Sequence, residues 1–135
     1  MTTNYANTFI AVASDCKATT GEVPPVPATR PTVAALQFEF IAEHPYEMTS
    51  DEVLFAVYAA RNGIADEDLE VERERFFAKD QACFRASPLG KRYGWGTHHD
   101  QSGRVALYAV GTAEYERLAN EPGLTQKSAM RSSRA

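Results

Sequence analysis

Residue types that bind or transform small molecules are concentrated between positions 83 and 98. The cations Arg85, Lys91 and Arg92 lie within eight residues of one another, and Ser87 adds a hydroxyl between them. Guanidinium groups and backbone amides bind phosphate and carboxylate oxygens well. The segment therefore predicts a site for an anionic ligand, contacted by Arg85, Ser87, Lys91 and Arg92.

Two glycines extend this candidate site into a predicted strand. Strand alternation places Gly94, Gly96 and His98 on the same face as Arg92, and Trp95 on the opposite face. Glycine inside a strand often marks the close approach of a ligand or of another backbone. We expect Gly94 and Gly96 either to form the floor of the ligand site, or to mark a bulge or a helix that crosses closely over the strand. Their spacing fits neither the P-loop nor the G-x-G-x-x-G motif.

Two residues of the same stretch could act in catalysis. His98 is a candidate general acid or base, because imidazole titrates near neutral pH, and Cys83 is a candidate nucleophile in the same loop and hairpin. His98 and His99 are neighbours on a strand and point to opposite faces, and His44 is remote in sequence. We therefore expect no metal site, and the sequence indicates no cofactor.

Hydrophobic periodicity and capping residues predict the elements that must position this stretch. Asn7 to Ala13 is rich in Phe, Ile and Val and predicts a buried strand, followed by a proline-rich loop. Three helices are predicted next, each from a start signal and an apolar stripe. They begin near Thr29 to Thr32, at the T-x-x-E capping box of Thr49 and at Asp66, and they end at Pro45, Gly63 and Lys79.

A hairpin carries the second half of the candidate site. Arg92 to His98 and Arg104 to Val110 predict its strands, and Asp100 with Gly103 suits a type I turn followed by a left-handed residue. We expect Trp95 to be largely buried, because a lone Trp in a small domain usually anchors the core. Its expected neighbours are Phe9, Leu107 or residues of the first helix.

The order of these elements predicts an α+β domain. A last helix is expected from Thr112 to Asn120, after the hairpin. We predict that residues 1–124 form one domain, in which a small antiparallel sheet of the N-terminal strand and the C-terminal hairpin packs against three to four helices. Residues 125–135 are basic and serine-rich, and they predict a mobile tail.

The composition is that of a single soluble domain. The chain has 135 residues, of which 44% are hydrophobic, enough for one core. No apolar run reaches the roughly 18 to 20 residues of a membrane span, and no basic region precedes the first apolar run. Cys16 and Cys83 fit no C-x-x-C pattern, so we expect reduced thiols in a cytoplasmic protein with no membrane contact.

The net charge of −4 conceals an asymmetry along the chain. Residues 39–74 hold 11 acids and two bases, a net charge of −9. Residues 75–135 hold ten bases and five acids, a net charge of +5. Such polarity can steer an anionic ligand to one face, whereas a net acidic protein is poorly suited to nonspecific binding along a polyanion.

Four segments of the chain resemble a bacterial family of similar length that is catalogued as a domain of unknown function. They are TNYANTFIAVASDC, TSDEVLF, CFRASPLGKRYGWGTHHDQSGRVALY and AMRSSR. The resemblance covers nearly the whole chain and implies no activity, substrate or catalytic residue. Members of that family often read K-G-Q where this chain has Lys79-Asp80-Gln81, and W-G-I-H where it has Thr97.

Three classes of function are open to such a sequence. The first is a small-molecule binding protein or enzyme that receives a phosphate- or carboxylate-bearing ligand at the 83–98 loop and hairpin. The second is a nucleic-acid module, since helix, helix and hairpin is also the order of a winged helix, and it would use Lys127, Arg131 and Arg134 as well. The recognition helix of such a module would carry the acidic run EVERER, whereas binding to the phosphates of a nucleic acid requires cations. The third is an interaction or assembly domain, such as a homodimer.

Overall fold

Four short strands form one mixed sheet in the computed structural model, which describes residues 2–132. Their bounds are Thr8–Ala11 (β1), Trp95–His99 (β2), Val105–Ala109 (β3) and Thr125–Ser128 (β4). The order across the sheet is β3-β2-β1-β4. β2 pairs antiparallel with both β1 and β3, whereas β4 lies parallel to β1.

β4 corrects two predictions about the C-terminal part of the chain. The α+β class is confirmed, but the sheet is mixed rather than purely antiparallel, because β4 adds a parallel edge strand. The segment predicted to be a tail outside the domain is docked from its first residue. The amide of Thr125 donates to Asn7 O at 2.8 Å, and the amide of Ala129 donates to Ala11 O at 2.8 Å. Arg134, which the nucleic-acid hypothesis includes, lies outside the described residues.

Threonine caps begin three of the helices in the described chain. The helices are Val33–Glu43 (α1), Ser50–Asn62 (α2), Leu69–Phe77 (α3), Pro88–Lys91 (α4) and Ala113–Ala119 (α5). Thr32, Thr49 and Thr112 each accept a hydrogen bond from the backbone amide three residues later. The predicted capping box is confirmed, because Glu52 also accepts from the Thr49 amide. Gly63 ends α2 in the left-handed conformation, with φ of 59°, as predicted.

The third predicted helix forms in two parts. A 3₁₀ turn over Asp66–Asp68 precedes α3, so the regular helix is shorter than the predicted span. No residue of α3 is fully buried, although Phe76 and Phe77 pack their rings against Phe55 of α2. α3 is therefore attached to the domain through one aromatic cluster rather than through a continuous apolar stripe.

The predicted hairpin is present, and it lies within the sheet rather than projecting from it. Gly103 has φ of 80° and donates to Asp100 O at 3.0 Å, which closes the predicted turn. β2 lies between β3 and β1, so the hairpin forms half of the sheet. The element before it is the short α4 and not a long helix. The winged-helix topology is therefore not observed.

Helices cover both faces of the sheet. On one face, Ile10 of β1 belongs to a core with Leu36, Val53 and Leu89, which come from α1, α2 and α4. On the other face, Phe9 packs against Tyr115 of α5, with ring centroids 5.1 Å apart. This three-layer arrangement leaves little of the central strands open to solvent.

Trp95 only partly fulfils its predicted role in the core. It is half-buried on the α1 face, where its ring lies 5.4 Å from that of Phe38. Its indole N–H donates to Glu22 O at 2.8 Å, which ties down the proline-rich loop. Contact with the first helix and with the core around Leu107 is as predicted, whereas Phe9, the other neighbour considered, lies on the opposite face.

Within residues 2–132, no helix combines the length and apolar character needed to cross a bilayer. In the same part of the chain, no three His, Cys, Asp or Glu side chains are grouped so that they could ligate a metal ion.

Candidate functional site

A pocket of about 260 Å³ lies between α1, α2 and the segment of residues 81–88. We call it the Gln37 pocket. Much of its wall is apolar, formed by Val33, Leu54, Val57, Phe76, Ala82, Ala86 and Pro88. Two of the residues predicted from the sequence, Cys83 and Ser87, also line it. Small-molecule sites are typically concave, apolar and equipped with a few polar groups, and this pocket has that character.

Gln37 and Ser87 form the buried polar base of the pocket. Both side chains are almost fully buried, at 3% and 4% exposure. The Ser87 hydroxyl donates to Gln37 Oε1 at 2.5 Å and accepts from the Leu89 amide, which caps α4. The hydroxyl is therefore fully used by the protein, and it fixes the orientation of the Gln37 amide.

The amide nitrogen of Gln37 has no hydrogen-bond partner among the described residues. Among residues 2–132, the hydrogen bond with Ser87 is the only one formed by the Gln37 side chain. Buried polar groups in folded proteins nearly always have a hydrogen-bond partner. Because Gln37 lines the pocket, its two N–H donors can be satisfied by an acceptor inside the pocket.

Arg61 gives one wall of the pocket a positive charge. It lies in the last turn of α2, and its Nε donates to Pro31 O at 3.2 Å, which holds the guanidinium against the start of α1. No Asp or Glu lines the pocket. The donors of Gln37 and the charge of Arg61 therefore favour a ligand that offers acceptor oxygens.

Cys83 is held at the pocket wall by a tyrosine. The Tyr5 hydroxyl donates to Cys83 Sγ at 3.1 Å. Burial, together with the hydrogen bond to Cys83, raises the pKa of Tyr5 to about 12, so the phenol stays protonated and remains a donor at neutral pH. The thiol therefore has a fixed position beside any ligand in the pocket.

The predicted pairing of Cys83 with His98 is wrong. Tyr5, which contacts Cys83, packs its ring against His99, at a centroid distance of 5.4 Å. Neighbouring residues of a strand point to opposite faces, so His98 lies on the other side of the sheet. There it pairs across the strands with Phe9, in the core under α5.

His98 belongs instead to a polar chain with two tyrosines. The Tyr46 hydroxyl lies 2.7 Å from His98 Nδ1 and 2.6 Å from the Tyr108 hydroxyl. Burial lowers the pKa of His98, and burial together with the bond to Tyr108 raises the pKa of Tyr46. Both groups are therefore neutral at pH 7, and Tyr46 can donate to Nδ1. Tyr46 adopts a left-handed backbone with φ of 59°.

The predicted cations do not converge on one surface. Arg85 Nε donates to Ser128 O at 2.7 Å, so this side chain fastens β4 to the domain. Lys91 and Arg92 line a different concavity, near Lys17. A common anion-binding surface of Arg85, Lys91, Arg92 and His98 is therefore not formed.

Gly94 and Gly96 are covered by the protein itself. A Cβ atom on Gly96 would lie 2.7 Å from the Phe9 ring and 2.8 Å from the Tyr115 ring. A Cβ atom on Gly94 would lie 2.2 Å from the carbonyl oxygen of Thr20, and Gly94 has φ of 78°. The expected ligand floor is therefore wrong. The alternative of a closely crossing helix holds for Gly96, under Tyr115 of α5, whereas Gly94 is covered by the loop at Thr20.

His99 is a buried titratable residue that sequence reasoning set aside. It is fully buried between Tyr5 and Phe84, and its Nε2 bonds with Thr97 Oγ1 at 3.0 Å. Its Nδ1 has no hydrogen-bond partner within residues 2–132. The signal that could have found it is the alternation Trp95, Thr97, His99 along one strand face. Gln37 and Arg61, by contrast, carry no sequence signal beyond their places in two predicted helices.

Comparison with known proteins gives a family but no activity. A family model described as Family of unknown function (DUF6157) matches residues 1–135, so the chain belongs to this family. The resemblance predicted from the sequence is thereby confirmed. No curated protein and no solved structure matches the chain.

Proposed function

Because membership of that family assigns no chemistry, we propose a function from the pocket itself: the protein binds a small molecule that has a compact apolar body and a carboxylate or similar acceptor group. The observation that carries this proposal is Gln37, a residue only 3% exposed, whose side-chain oxygen is bonded by Ser87 and whose amide nitrogen has no protein partner among residues 2–132.

The volume of the pocket sets the size of the ligand. At about 260 Å³ it lies just under the roughly 300 to 1,000 Å³ of sites for drug-sized ligands. The aliphatic and aromatic lining suits a ring or a short branched chain. In this proposal the acceptor oxygen faces Gln37, and Arg61 compensates the charge of a carboxylate.

We place this binding in the cytoplasm. Cys16 and Cys83 are both free thiols in the structure. Free thiols are typical of a reducing compartment, whereas small oxidised domains tend to pair their cysteines. A reduced Cys83 also keeps the acceptor that Tyr5 requires at the pocket wall.

A thermal-shift measurement with simple carboxylates tests the proposal. Benzoate, phenylacetate and hexanoate are each added at millimolar concentration to the wild-type protein and to Gln37→Glu. The substitution keeps an oxygen acceptor for the Ser87 hydroxyl. It replaces the N–H donors of the amide with a carboxylate oxygen, which would face the carboxylate of the probe. We expect at least one probe to stabilise the wild type and its affinity to fall about tenfold or more in Gln37→Glu, as expected for a lost charge-assisted hydrogen bond.

Gln101→Glu provides the matched control, because Gln101 is exposed in the hairpin turn and the change of charge is the same. This control should bind the probe as the wild type does. Gln37→Met removes the donor without adding charge and should also weaken binding. If the probes bind all four proteins equally, or bind none of them, the Gln37 pocket is not a carboxylate site.

A further inference from the structure

A second concavity lies at the C-terminal end of α4, away from the Gln37 pocket. Its volume is about 500 Å³, and the residues that line it within positions 2–132 are Asp15, Lys17, Lys91, Arg92 and Ser132. Three cations and one carboxylate give these lining residues a net charge of +2, in a chain whose net charge is −4. A concave surface of one sign focuses the electric field and attracts counter-ions.

Backbone contacts hold the three segments that supply this lining. The Ala13 amide donates to Gly90 O at 2.9 Å, which joins the loop after β1 to α4. The Ser132 amide donates to the Asp15 carboxylate at 2.9 Å, which brings in the C-terminal segment. Gly90 also lets that segment pack closely, since a Cβ atom there would lie 2.9 Å from Ala129 Cβ. The concavity is therefore fixed by the fold.

The three cations are not engaged by the protein. Within residues 2–132, Lys17, Lys91 and Arg92 form no ion pair and no side-chain hydrogen bond. Like charges placed together repel one another, and an anion between them would remove that repulsion. Lys91 is half-buried, Arg92 is exposed, and both line the concavity.

We propose that Lys17, Lys91 and Arg92 form a second binding site, for the phosphate groups of a small phosphorylated molecule. A net charge of +2 matches a phosphate dianion better than a single carboxylate, and Arg with Lys is a common pair for phosphate. This site goes beyond the proposed function, because it shares no residue with the Gln37 pocket.

Calorimetric titration with pyrophosphate tests the second site. The wild-type protein should bind pyrophosphate at low ionic strength, and the pair Lys91→Gln/Arg92→Gln should weaken that binding about tenfold or more. Lys17→Gln alone should weaken it less. Arg92→Lys keeps the charge and should retain most of the affinity, which separates loss of charge from loss of folding.

Lys79→Gln/Arg104→Gln is the matched control, because both residues are exposed and the same two charges are removed elsewhere. An equal loss in this control, or no binding by the wild type, overturns the proposal. A single-stranded 12-nucleotide DNA provides a further test. The proposal is also overturned if this DNA binds more tightly than pyrophosphate and loses affinity equally in both double variants, because that result shows a general polyanion surface. Gln37→Glu should leave pyrophosphate binding unchanged, so the two sites can fail independently.

Discussion

At the scale of single residues, the buried imidazole of His99 lowers the free energy of unfolding as the pH falls. It is 0% exposed, and burial lowers its pKa from 6.5 to about 4. In the unfolded chain the imidazole binds a proton near its ordinary pKa, so falling pH favours the unfolded chain between those two values. Well above pH 6.5 the group is neutral in both states and contributes no pH dependence.

We therefore predict that acid destabilises the protein through His99. Between pH 7 and pH 5 the free energy of unfolding should fall by about 2 kcal/mol because of this group. Urea denaturation at both pH values measures the change. In His99→Leu, the free energy of unfolding should differ much less between pH 7 and pH 5, whatever the absolute stability of the variant. An unchanged pH dependence in His99→Leu would show that other groups cause it.

Gly96 gives a second prediction at this scale. Gly96→Ala should lower stability by about 1 to 3 kcal/mol, because the added methyl must displace the packed rings of Phe9 and Tyr115. Gly123→Ala is the control, since its new methyl would meet only Glu121 Oε1 at 3.4 Å and should change stability by about 0.5 kcal/mol at most. Chemical denaturation of both variants decides whether the face over Gly96 is packed or open.

At the scale of elements, sequence patterns found the hairpin and four of the five described helices, but missed the short α4 and β4. The caps at Thr49 and Gly63 and the Asp100–Gly103 turn are local signals, and local signals suffice to place those elements. β4 reads TQKS and carries no apolar alternation, because it is a mostly exposed edge strand that contributes backbone hydrogen bonds. Such pairing depends on the partner strand, so the strand's own residues do not reveal it.

The docked C-terminal segment leads to a test with two neighbouring residues. Ala129 is 4% exposed and packs onto Gly90, whereas Met130 is 44% exposed. Ala129→Asp should cost about 2 to 5 kcal/mol, because it buries a charge without a partner. Met130→Asp should cost about 1 kcal/mol at most. Similar melting temperatures for the two variants would mean that the segment does not dock in solution.

α3 should be the least protected helix of the domain. Its residues include none that is fully buried, and Val71 is 51% exposed. Few buried apolar contacts allow local opening at a free energy below that of global unfolding. Native-state hydrogen exchange should therefore show faster exchange for α3 amides than for α1 or α2. Equal protection in all three helices would contradict this expectation.

At the scale of the whole molecule, four of the site residues predicted from the sequence are divided between two separate concavities. Cys83 and Ser87 do line the Gln37 pocket, and Lys91 with Arg92 lines the second concavity. The alternation along β2 correctly separated Trp95 from His98, yet it could not show that α5 covers Gly96. Gln37 and Arg61 enter the site through the packing of α1 against α2, which no local pattern encodes.

The most direct test of the carboxylate-binding pocket follows the Gln37 side chain itself during a titration. Two-dimensional ¹H–¹⁵N spectra are recorded while the best of benzoate, phenylacetate and hexanoate is added to labelled protein. We predict saturable shifts of the Gln37 side-chain amide and of the backbone amides of Ala82 and Ser87. In Gln37→Glu, the backbone shifts of Ala82 and Ser87 should be absent. Shifts confined to Lys91 and Arg92, or an unmoved Gln37 amide at saturation, would contradict this prediction.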